Sequence, residues 1–202
     1  MTICVTNCLH WIGFHIVNRL IENDYQVDGV ADISSESEEE LSLMLGRNSS
    51  FTLYSNENAI KDTKYSDAVL FHESKQPIQA LKTFNFGKDI DKPNSINIEL
   101  PLLFGEWMPM DEKGVYVNKQ YIEFYSTRFQ EEAIYINDFV DCFMQWLKVP
   151  DLPNNISLTK NKNLQIKEDT LEKQLYIRGN RPIDDQIENL IKHYKKIKNY
   201  KM

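Results

Sequence analysis

The sequence of 202 residues predicts an α/β fold, with a parallel β-sheet flanked by helices. Short apolar runs that suit strands alternate along the chain with stretches whose apolar residues recur at helical spacing. The candidate strand at 67–72 has a continuous apolar middle, which is typical of a parallel strand covered on both faces. The composition, 42% hydrophobic and 26% charged residues, is that of a chain that can bury a core.

The chain opens with a predicted strand, turn, helix and second strand. Residues 3–6 form a short, largely apolar run. The apolar residues within 12–21 recur at helical spacing until a polar break. Residues 27–30 predict the second strand. A βαβ unit of this length is the opening of a Rossmann-like nucleotide-binding sheet.

A second helix and two further strands follow. Ser35 and Glu38 form a capping-box pattern, in which hydroxyl and carboxylate each satisfy a free N–H, and Gly46 ends the helix. Residues 51–54 and 67–72 predict the third and fourth strands.

Pro77 predicts the first turn of a third helix. The apolar residues Ile78, Leu81 and Phe84 would lie on one side of it, and Gly87 would end it. Residues 95–100 alternate in polarity and predict another strand.

The last part of the chain divides into a strand and helix and a more polar segment. Residues 133–136 predict a strand, and Asp138 is the expected N-cap of the helix that follows. A final amphipathic, basic helix is predicted at 183–194. We therefore predict a Rossmann-like domain with a reduced number of strands at 1–150 and a small α+β segment at 151–202.

Charge and cysteine content exclude several classes of function. A net charge of −7 repels nucleic acid and anionic lipid, and we interpret the lysines that crowd the C-terminus as a solvated helix face. The cysteines Cys4, Cys8 and Cys142 have neither disulfide-framework nor zinc-site spacing. With no signal-like N-terminus and no apolar run that could span a bilayer, we expect a cytoplasmic protein without membrane or nucleic-acid partners.

The turn after the first strand, T-N-C-L-H-W-I-G at 6–13, lies where a dinucleotide pyrophosphate meets a helix N-terminus. It resembles the T-G-x-x-G-x-x-G opening of the extended short-chain dehydrogenases/reductases, which act on nucleotide sugars. Asn7, which tolerates a left-handed backbone, replaces the first glycine, and His10 replaces the second. The resemblance implies a weakened NAD site formed by Thr6, Asn7, His10, Trp11, Ile12 and Gly13. In the alternative interpretation the turn only caps the helix.

Asp32 lies 19 residues beyond Gly13 (32 − 13) and is the expected acceptor for the ribose hydroxyls, which would favour NAD over NADP. Ala31 takes the acidic position if the alignment moves by one residue, and Asp28 is a further alternative. Cys8 beside the helix N-terminus is either a reactive thiolate or an inert small residue.

Three further segments resemble the same family, in the same order. D-A-V-L-F at 67–71 is similar to the D-x-V-x-H strand, and Y-I-N-D at 135–138 is similar to the later Y-V-D-D motif. L-P-L-L-F-G-E-W at 100–107 resembles the R-x-P-N-x-F-G-x-W turn of members that act on surface-polysaccharide sugars. This last resemblance implies three substrate-binding residues, Leu103, Phe104 and Gly105.

The family's catalytic Y-x-x-x-K pair has no counterpart at the expected place. The family inserts strand and helix units between Phe71 and Glu99, and two βαβ units need roughly 60 residues. One register places Phe71 and Lys75 on the pair, but phenylalanine has no hydroxyl to exchange a proton. Tyr194 and Lys198 match the spacing at the wrong place in the chain order. We therefore assign no catalytic residue.

The leading hypothesis is a trimmed relative of NAD-dependent nucleotide-sugar epimerases, dehydratases and reductases, with weak or absent NAD binding and without Tyr/Lys catalysis. Two alternatives stay open: an active oxidoreductase with unconventional residues, and a regulatory subunit that binds a related enzyme. The missing units would leave a sheet edge unpaired and an apolar face uncovered, which the C-terminal segment from Asn154, a second copy of the chain or another protein would have to cover. Of these we expect a homodimer or a partner enzyme.

Overall fold

A computed structural model of the protein describes residues 1–71, 77–86, 93–160, 173–177 and 179–200. Its strands are β1 (Thr2–Thr6), β2 (Gln26–Val30), β3 (Phe51–Tyr54), β4 (Lys64–Leu70), β5 (Gln79–Phe86), β6 (Ser95–Glu99), β7 (Leu103–Phe104), β8 (Gly114–Val117), β9 (Gln120–Glu123), β10 (Ile134–Tyr135), β11 (Asn155–Thr159) and β12 (Lys173–Tyr176). Its α-helices are α1 (Trp11–Glu22), α2 (Glu36–Leu45), α3 (Thr127–Glu132), α4 (Ile136–Leu147) and α5 (Ile183–Tyr200), and Glu57–Ile60 forms a 3-10 turn.

The predicted α/β fold is confirmed. Eight strands form one sheet in the order β12-β11-β6-β5-β4-β1-β2-β3, and every neighbouring pair runs parallel. Two small sheets, β7 with β10 and β8 with β9, stand beside it. The trimming that the sequence indicates falls on the connections between strands.

One face of the large sheet is covered by α1, α2 and α4. Helix α1 packs against both of the other helices. Val5 from β1, Val69 from β4 and Phe84 from β5 are fully buried on this face. Phe84 meets Phe143 of α4 edge to face, with ring centroids 5.1 Å apart. The main core therefore lies between the sheet and these helices.

The opposite face is polar where it crosses β5, β6 and β11. Asn85, Asn97 and Asn155 lie in register on these neighbouring strands. Asn85 Nδ2 donates to Asn97 Oδ1 at 3.2 Å, and Asn97 Nδ2 donates to Asn155 Oδ1 at 3.0 Å. The expectation of an uncovered apolar face is therefore wrong here, because these strands present amides there and only Leu81 is a large exposed apolar side chain. The unpaired edge expected at the mid-chain strands is also wrong, because β5 pairs with β6 and the C-terminal strands β11 and β12 continue the sheet, which leaves β3 and β12 as its outermost described strands.

The predicted helix from Pro77 to Gly87 is wrong, because Gln79–Phe86 forms β5. The apolar spacing that suggested a helix also fits a strand. Phe84 and Phe86 alternate with polar neighbours and pack under α4, whereas Leu81 faces the other way and is 77% exposed. Hydrogen bonding to both β4 and β6 decides the conformation.

Asp138 is not the N-cap of α4, because the helix begins at Ile136 and Tyr135 occupies the cap position. Asp138 is buried, and its carboxylate accepts from Asn180 Nδ2 at 2.9 Å and from Gln186 Nε2 at 3.2 Å. It therefore ties α4 to the segment that begins α5. Strands β11 and β12, which belong to the predicted segment 151–202, extend the large sheet. The division into two domains at residue 150 stays a prediction.

Helix α5 forms as predicted, with Ile187 and Leu190 buried on its apolar side. His193 is not part of a solvated tail, because its ring lies edge-on to Trp107 at 5.2 Å between centroids. Among the described residues, no helix is long and apolar enough to cross a membrane. The same part of the chain contains no group of histidine, cysteine and carboxylate side chains that could hold a metal ion.

Candidate functional site

A cleft of about 440 Å³ opens between the N-terminus of α1 and the hairpin formed by β8 and β9. It lies beyond the carboxyl ends of β1 and β6, where parallel α/β sheets bind their ligands. The cleft is lined by His10, Trp11, Ile12, Leu100, Pro101, Leu103, Met108, Pro109, Tyr116, Val117, Asn118 and Lys119. Four predicted site residues, His10, Trp11, Ile12 and Leu103, are thus brought together around one cleft.

The turn between β1 and α1 has the backbone that the sequence predicts. Asn7 adopts a left-handed conformation with φ of 51°, and its carbonyl accepts from the His10 N–H at 3.0 Å. Gly13 is required for packing, since a Cβ there would lie 2.5 Å from the Asn7 carbonyl oxygen. The tight turn therefore survives the loss of two family glycines.

His10 occupies the N-terminus of α1 with its side chain. Its backbone is extended, with φ of −67° and ψ of 143°, a conformation open to any residue. Ring atom Nδ1 accepts from the Ile12 N–H at 3.4 Å, and the exposed ring lies 6.4 Å from the Phe71 ring. One backbone amide at this terminus, that of Ile12, is therefore already engaged by the His10 side chain.

Thr6 has a structural role in the described fold. It is fully buried, and its hydroxyl donates to the Val69 carbonyl at 3.4 Å and accepts from the Phe71 N–H at 3.1 Å. These bonds join the carboxyl ends of β1 and β4. Direct contact between Thr6 and a cofactor stays a prediction.

Asp32 follows β2 and is exposed, as a carboxylate that binds a ribose would be. The alternative residue Asp28 is engaged elsewhere, because it accepts from the Tyr65 hydroxyl at 2.9 Å. Ala31 only donates its backbone N–H to the Tyr54 carbonyl, at 3.0 Å. Of the three positions, Asp32 best suits the predicted contact with ribose, which stays a prediction.

Of the two interpretations of Cys8, the structure favours the inert small residue. Its side chain is fully buried, and burial raises the pKa of its thiol to about 12. Burial likewise raises the pKa of Cys4 to about 12. Neither cysteine is a thiolate near neutral pH, so neither is a nucleophile for the cleft.

The three predicted substrate-binding residues are placed differently. Leu103 borders the cleft. Phe104 is fully buried, and its ring packs on Phe129 and Tyr135 with centroids 5.0 and 5.4 Å away. Gly105 packs so closely on Ile136 that a Cβ would not fit. Phe104 and Gly105 therefore position the turn, and a contact of either residue with substrate stays a prediction.

The hairpin of β8 and β9 supplies cleft residues that sequence reasoning missed. Asn118 and Lys119 form its tip, both left-handed, with φ of 49° and 66°. Tyr116, 49% exposed, and Lys119 border the cleft from this hairpin. The alternating sequences V-Y-V and Y-I-E on either side of N-K were the signal that could have predicted it.

A partly buried cluster of acid and base side chains lies outside the cleft lining. The Tyr135 hydroxyl donates to Glu106 Oε1 at 2.5 Å, and His15 Nε2 lies 3.1 Å from the Glu106 carbonyl and 3.9 Å from Oε2. Burial, followed by the bond to Glu106, raises the pKa of Tyr135, while burial lowers the pKa of His15 and of His193. Tyr135 therefore stays protonated and the two histidines stay neutral near pH 7.

No protein-family model and no curated protein sequence matches this chain. Solved structures do match its fold. A UDP-galactose 4-epimerase superposes with a TM-score of 0.59 at 11% identity, over 97% of this chain and 99% of that one. The UDP-glucose 4-epimerase of Thermotoga maritima, solved with UDP-glucose, has a TM-score of 0.54 at 13% identity, over 98% and 99% of the two chains.

The chain has the fold of the extended short-chain dehydrogenases/reductases. A further neighbour is TunA, an NAD-dependent NDP-hexosamine 5,6-dehydratase of tunicamycin biosynthesis, with a TM-score of 0.54 at 10% identity over 96% and 98% of the chains. These alignments reach almost the full length of each neighbour.

The trimming lies in the β4–β5 and β5–β6 connections, residues 71–78 and 87–94, which have eight residues each. A crossover between parallel strands usually takes a dozen or more residues and contains a helix. Leu70 pairs with Asn85, so β5 begins six residues, about 20 Å, behind the end of β4. Phe86 pairs with Ile98, so β6 begins three residues behind the end of β5. At eight residues, each connection is shorter than the crossover that usually joins parallel strands.

The tyrosine and lysine candidates lie apart from the cleft or outside the described residues. Lys75, with its neighbour His72, falls in 72–76, which the structure does not describe. Lys198 Nζ lies 5.9 Å from the ring centroid of Tyr194 on α5, and neither residue lines the cleft. No pair with the family's spacing and chain order borders the cleft in the described part of the chain.

Proposed function

We propose that this chain is a trimmed relative of the NAD-dependent nucleotide-sugar epimerases, dehydratases and reductases that binds a nucleotide or nucleotide sugar without Tyr/Lys catalysis. The observation that carries the proposal is the pair of eight-residue connections on either side of β5. In the family, the region between these strands provides the catalytic tyrosine and lysine. This chain keeps the sheet and the cleft and lacks the length for the helices.

Weak or absent NAD binding is the second part of the proposal. A dinucleotide pyrophosphate needs free N–H groups and close backbone approach at the first turn. Here the His10 ring lies over that turn and accepts from the Ile12 N–H. Gly13 still packs as a family glycine does, so the turn supports the fold without supplying the usual phosphate contacts.

The cleft suits an anionic ligand with a ring. Among the described residues, Lys119 is the one formally charged residue of the lining, while Trp11, Tyr116 and Met108 provide apolar surface. A volume of about 440 Å³ lies within the usual range of small-molecule sites. A link to surface-polysaccharide sugars rests on the resemblance of residues 100–107 to that branch of the family, and it belongs to the same proposal.

A turnover assay with NAD and UDP-glucose, UDP-galactose or a dTDP-hexose tests the loss of catalysis. We expect no epimerisation, dehydration or reduction above background. Steady turnover that disappears in Lys75→Ala or His72→Ala, and persists in the control Lys192→Ala on the exposed side of α5, would overturn the proposal.

An active oxidoreductase with unconventional residues is the second candidate, because Tyr116 and Lys119 border the same cleft. Together they offer a hydroxyl and an ammonium group that could exchange a proton with a bound ligand. Turnover lost in Tyr116→Phe and kept in Tyr125→Phe, an exposed tyrosine outside the cleft lining, would favour this candidate.

A further inference from the structure

A second cavity, of about 210 Å³, lies where the C-terminal segment meets α4. It is lined by Ala133, Ile134, Tyr135, Asp138, Lys160, Ile177, Gly179, Arg181, Ile183 and Gln186. None of these residues lines the cleft. Leu103 of β7 borders the cleft and its partner Ile134 of β10 borders the cavity, so the two spaces adjoin opposite members of this strand pair.

Most of the cavity wall is apolar. Ala133 and Ile134 lie on the side of β10, and Ile177 and Ile183 lie on the side of the C-terminal segment. All but Ile183 are buried, and Ile183 is partly buried against the main core. The volume equals that of about seven water molecules in the liquid. It is enough for a small organic molecule that covers both walls.

Two cations border this apolar space without a carboxylate partner in the described part of the chain. Lys160 Nζ donates to the Gln130 carbonyl at 2.7 Å, which uses one of its three protons. Arg181 is exposed at the side of the cavity. Burial lowers the pKa of Lys160, as expected of an ammonium group that lacks a counter-charge.

Asp138, the acid on the described part of the cavity wall, makes its hydrogen bonds with neutral groups and not with these cations. Its Oδ1 accepts from the side chain and backbone N–H of Asn180, and its Oδ2 accepts from Gln186. With Lys160 and Arg181 positive and Asp138 negative, the described part of the wall carries a net charge of one positive unit, 2 − 1. An anion beside Lys160 would therefore balance the charge of the described wall.

We propose that the cavity binds a small carboxylate with a short apolar body. The carboxylate would accept from Lys160, with Arg181 beside it, and the apolar body would cover Ile177 and Ile183. Inorganic phosphate fits less well, because apolar walls leave its remaining oxygens without donors. Such a ligand would bridge α4 and the C-terminal segment, and it does not depend on what the cleft binds.

The test uses 3-methylbutanoate as the probe, with the full chain labelled for amide NMR. We expect saturable binding in the millimolar range, with shift changes at Ile134 and Gly179 and none at Lys119 of the cleft. Lys160→Met should weaken binding at least tenfold, and Lys192→Met, which removes an exposed lysine on α5, should leave it unchanged. The matched ligand 3-methylbutan-1-ol, which lacks the charge, should bind at least tenfold more weakly than the acid.

A cavity-filling variant guards against a folding defect in Lys160→Met. Ala133→Leu adds apolar volume without changing a charge, and we expect it to abolish binding of the probe. The proposal is overturned if 3-methylbutanoate does not saturate the shifts, if Lys160→Met binds it normally, or if phosphate binds as tightly. It is equally overturned if the shift changes map to the cleft.

Discussion

His10 Nδ1 accepts a hydrogen bond from the Ile12 backbone N–H at 3.4 Å, so the side chain at the helix N-terminus caps its own helix. In a dinucleotide-binding turn, amides at this place bind phosphate. The turn and the helix are present here, and the Ile12 N–H is engaged by the His10 imidazole. This relationship links a single substitution in the sequence to the proposed loss of cofactor binding.

Replacing His10 should improve NAD binding. His10 has an ordinary extended φ of −67°, so His10→Ala should restore the turn for phosphate as well as His10→Gly does. We expect both variants to gain at least about tenfold in affinity, or about 1.4 kcal/mol, in a calorimetric titration. Asn18→Ala, at an exposed position of α1, is the control and should not change. Micromolar NAD binding by the unmodified protein, about −8 kcal/mol, would contradict the account of this turn.

Lys82 should be essential for stability. Its Nζ donates to the Leu147 and Val149 carbonyls at 3.3 and 3.1 Å at the end of α4, and lies 3.9 Å from the partly buried Asp67. Lys82→Met would leave those carbonyls and that carboxylate without their donor, at a cost of about 1–3 kcal/mol in the free energy of unfolding. Urea denaturation measures it, with Lys192→Met as an exposed control within about 0.5 kcal/mol of the parent. Equal midpoints for both variants would show that Lys82 is dispensable.

Stability should fall below about pH 6.5, because burial lowers the pKa values of His15 and His193 in the folded state. Below this pH the unfolded chain binds protons that the folded chain does not bind. The contribution of the two neutral histidines to the free energy of unfolding is therefore complete above the unfolded pKa and is lost as the pH falls through it. The charged groups that face them are Glu106, which favours protonation, and Arg19 and Lys196, which oppose it.

Thermal unfolding between about pH 5.5 and 8 checks this dependence. The variants His15→Gln and His193→Gln should each flatten the curve. Asn18→Gln, which changes an exposed residue of α1 that does not titrate, is the comparison and should keep the pH dependence of the parent. A curve that rises toward acid pH would reverse the sign that burial predicts.

The sequence predicted the first βαβ unit and the turn at its centre because local chemistry decides them. Asn7 tolerates the left-handed backbone, and Gly13 is the residue that fits against the turn. The strand at 79–86 was mistaken for a helix because Leu81 and Phe84 have helical spacing, and only pairing with β4 and β6 sets the conformation. The sequence predicted the lining of the cleft at the N-terminus of α1 but not the lining on the opposite side. Lys119 borders the cleft from a hairpin that is distant in sequence from α1.

The asparagines on β5, β6 and β11 change the expected mode of assembly. Homodimerisation, or binding to a related enzyme as a regulatory subunit, was expected to cover an apolar face, but Asn85, Asn97 and Asn155 make that face polar. A dimer would instead use an edge of the sheet, β3 or β12.

Light scattering coupled to size exclusion measures the mass over a wide concentration range. If the chain dimerises through β3, Thr52→Lys on this exposed edge strand should dissociate the dimer, while Ser49→Lys in the preceding turn should not. A monomer at every concentration would reject the homodimer and leave a partner enzyme as the remaining form of the proposal.

In the proposed function, the cleft binds a nucleotide-type ligand, while the turn between β1 and α1 has lost the ability to bind NAD. A calorimetric titration of the unmodified protein with UDP-glucose, UDP-galactose, NAD and NADP tests it most directly. We predict saturable binding of at least one nucleotide sugar that weakens about tenfold in Lys119→Ala, with no NAD or NADP binding in the micromolar range. Tight NAD binding, or no binding of any nucleotide sugar, would contradict the account.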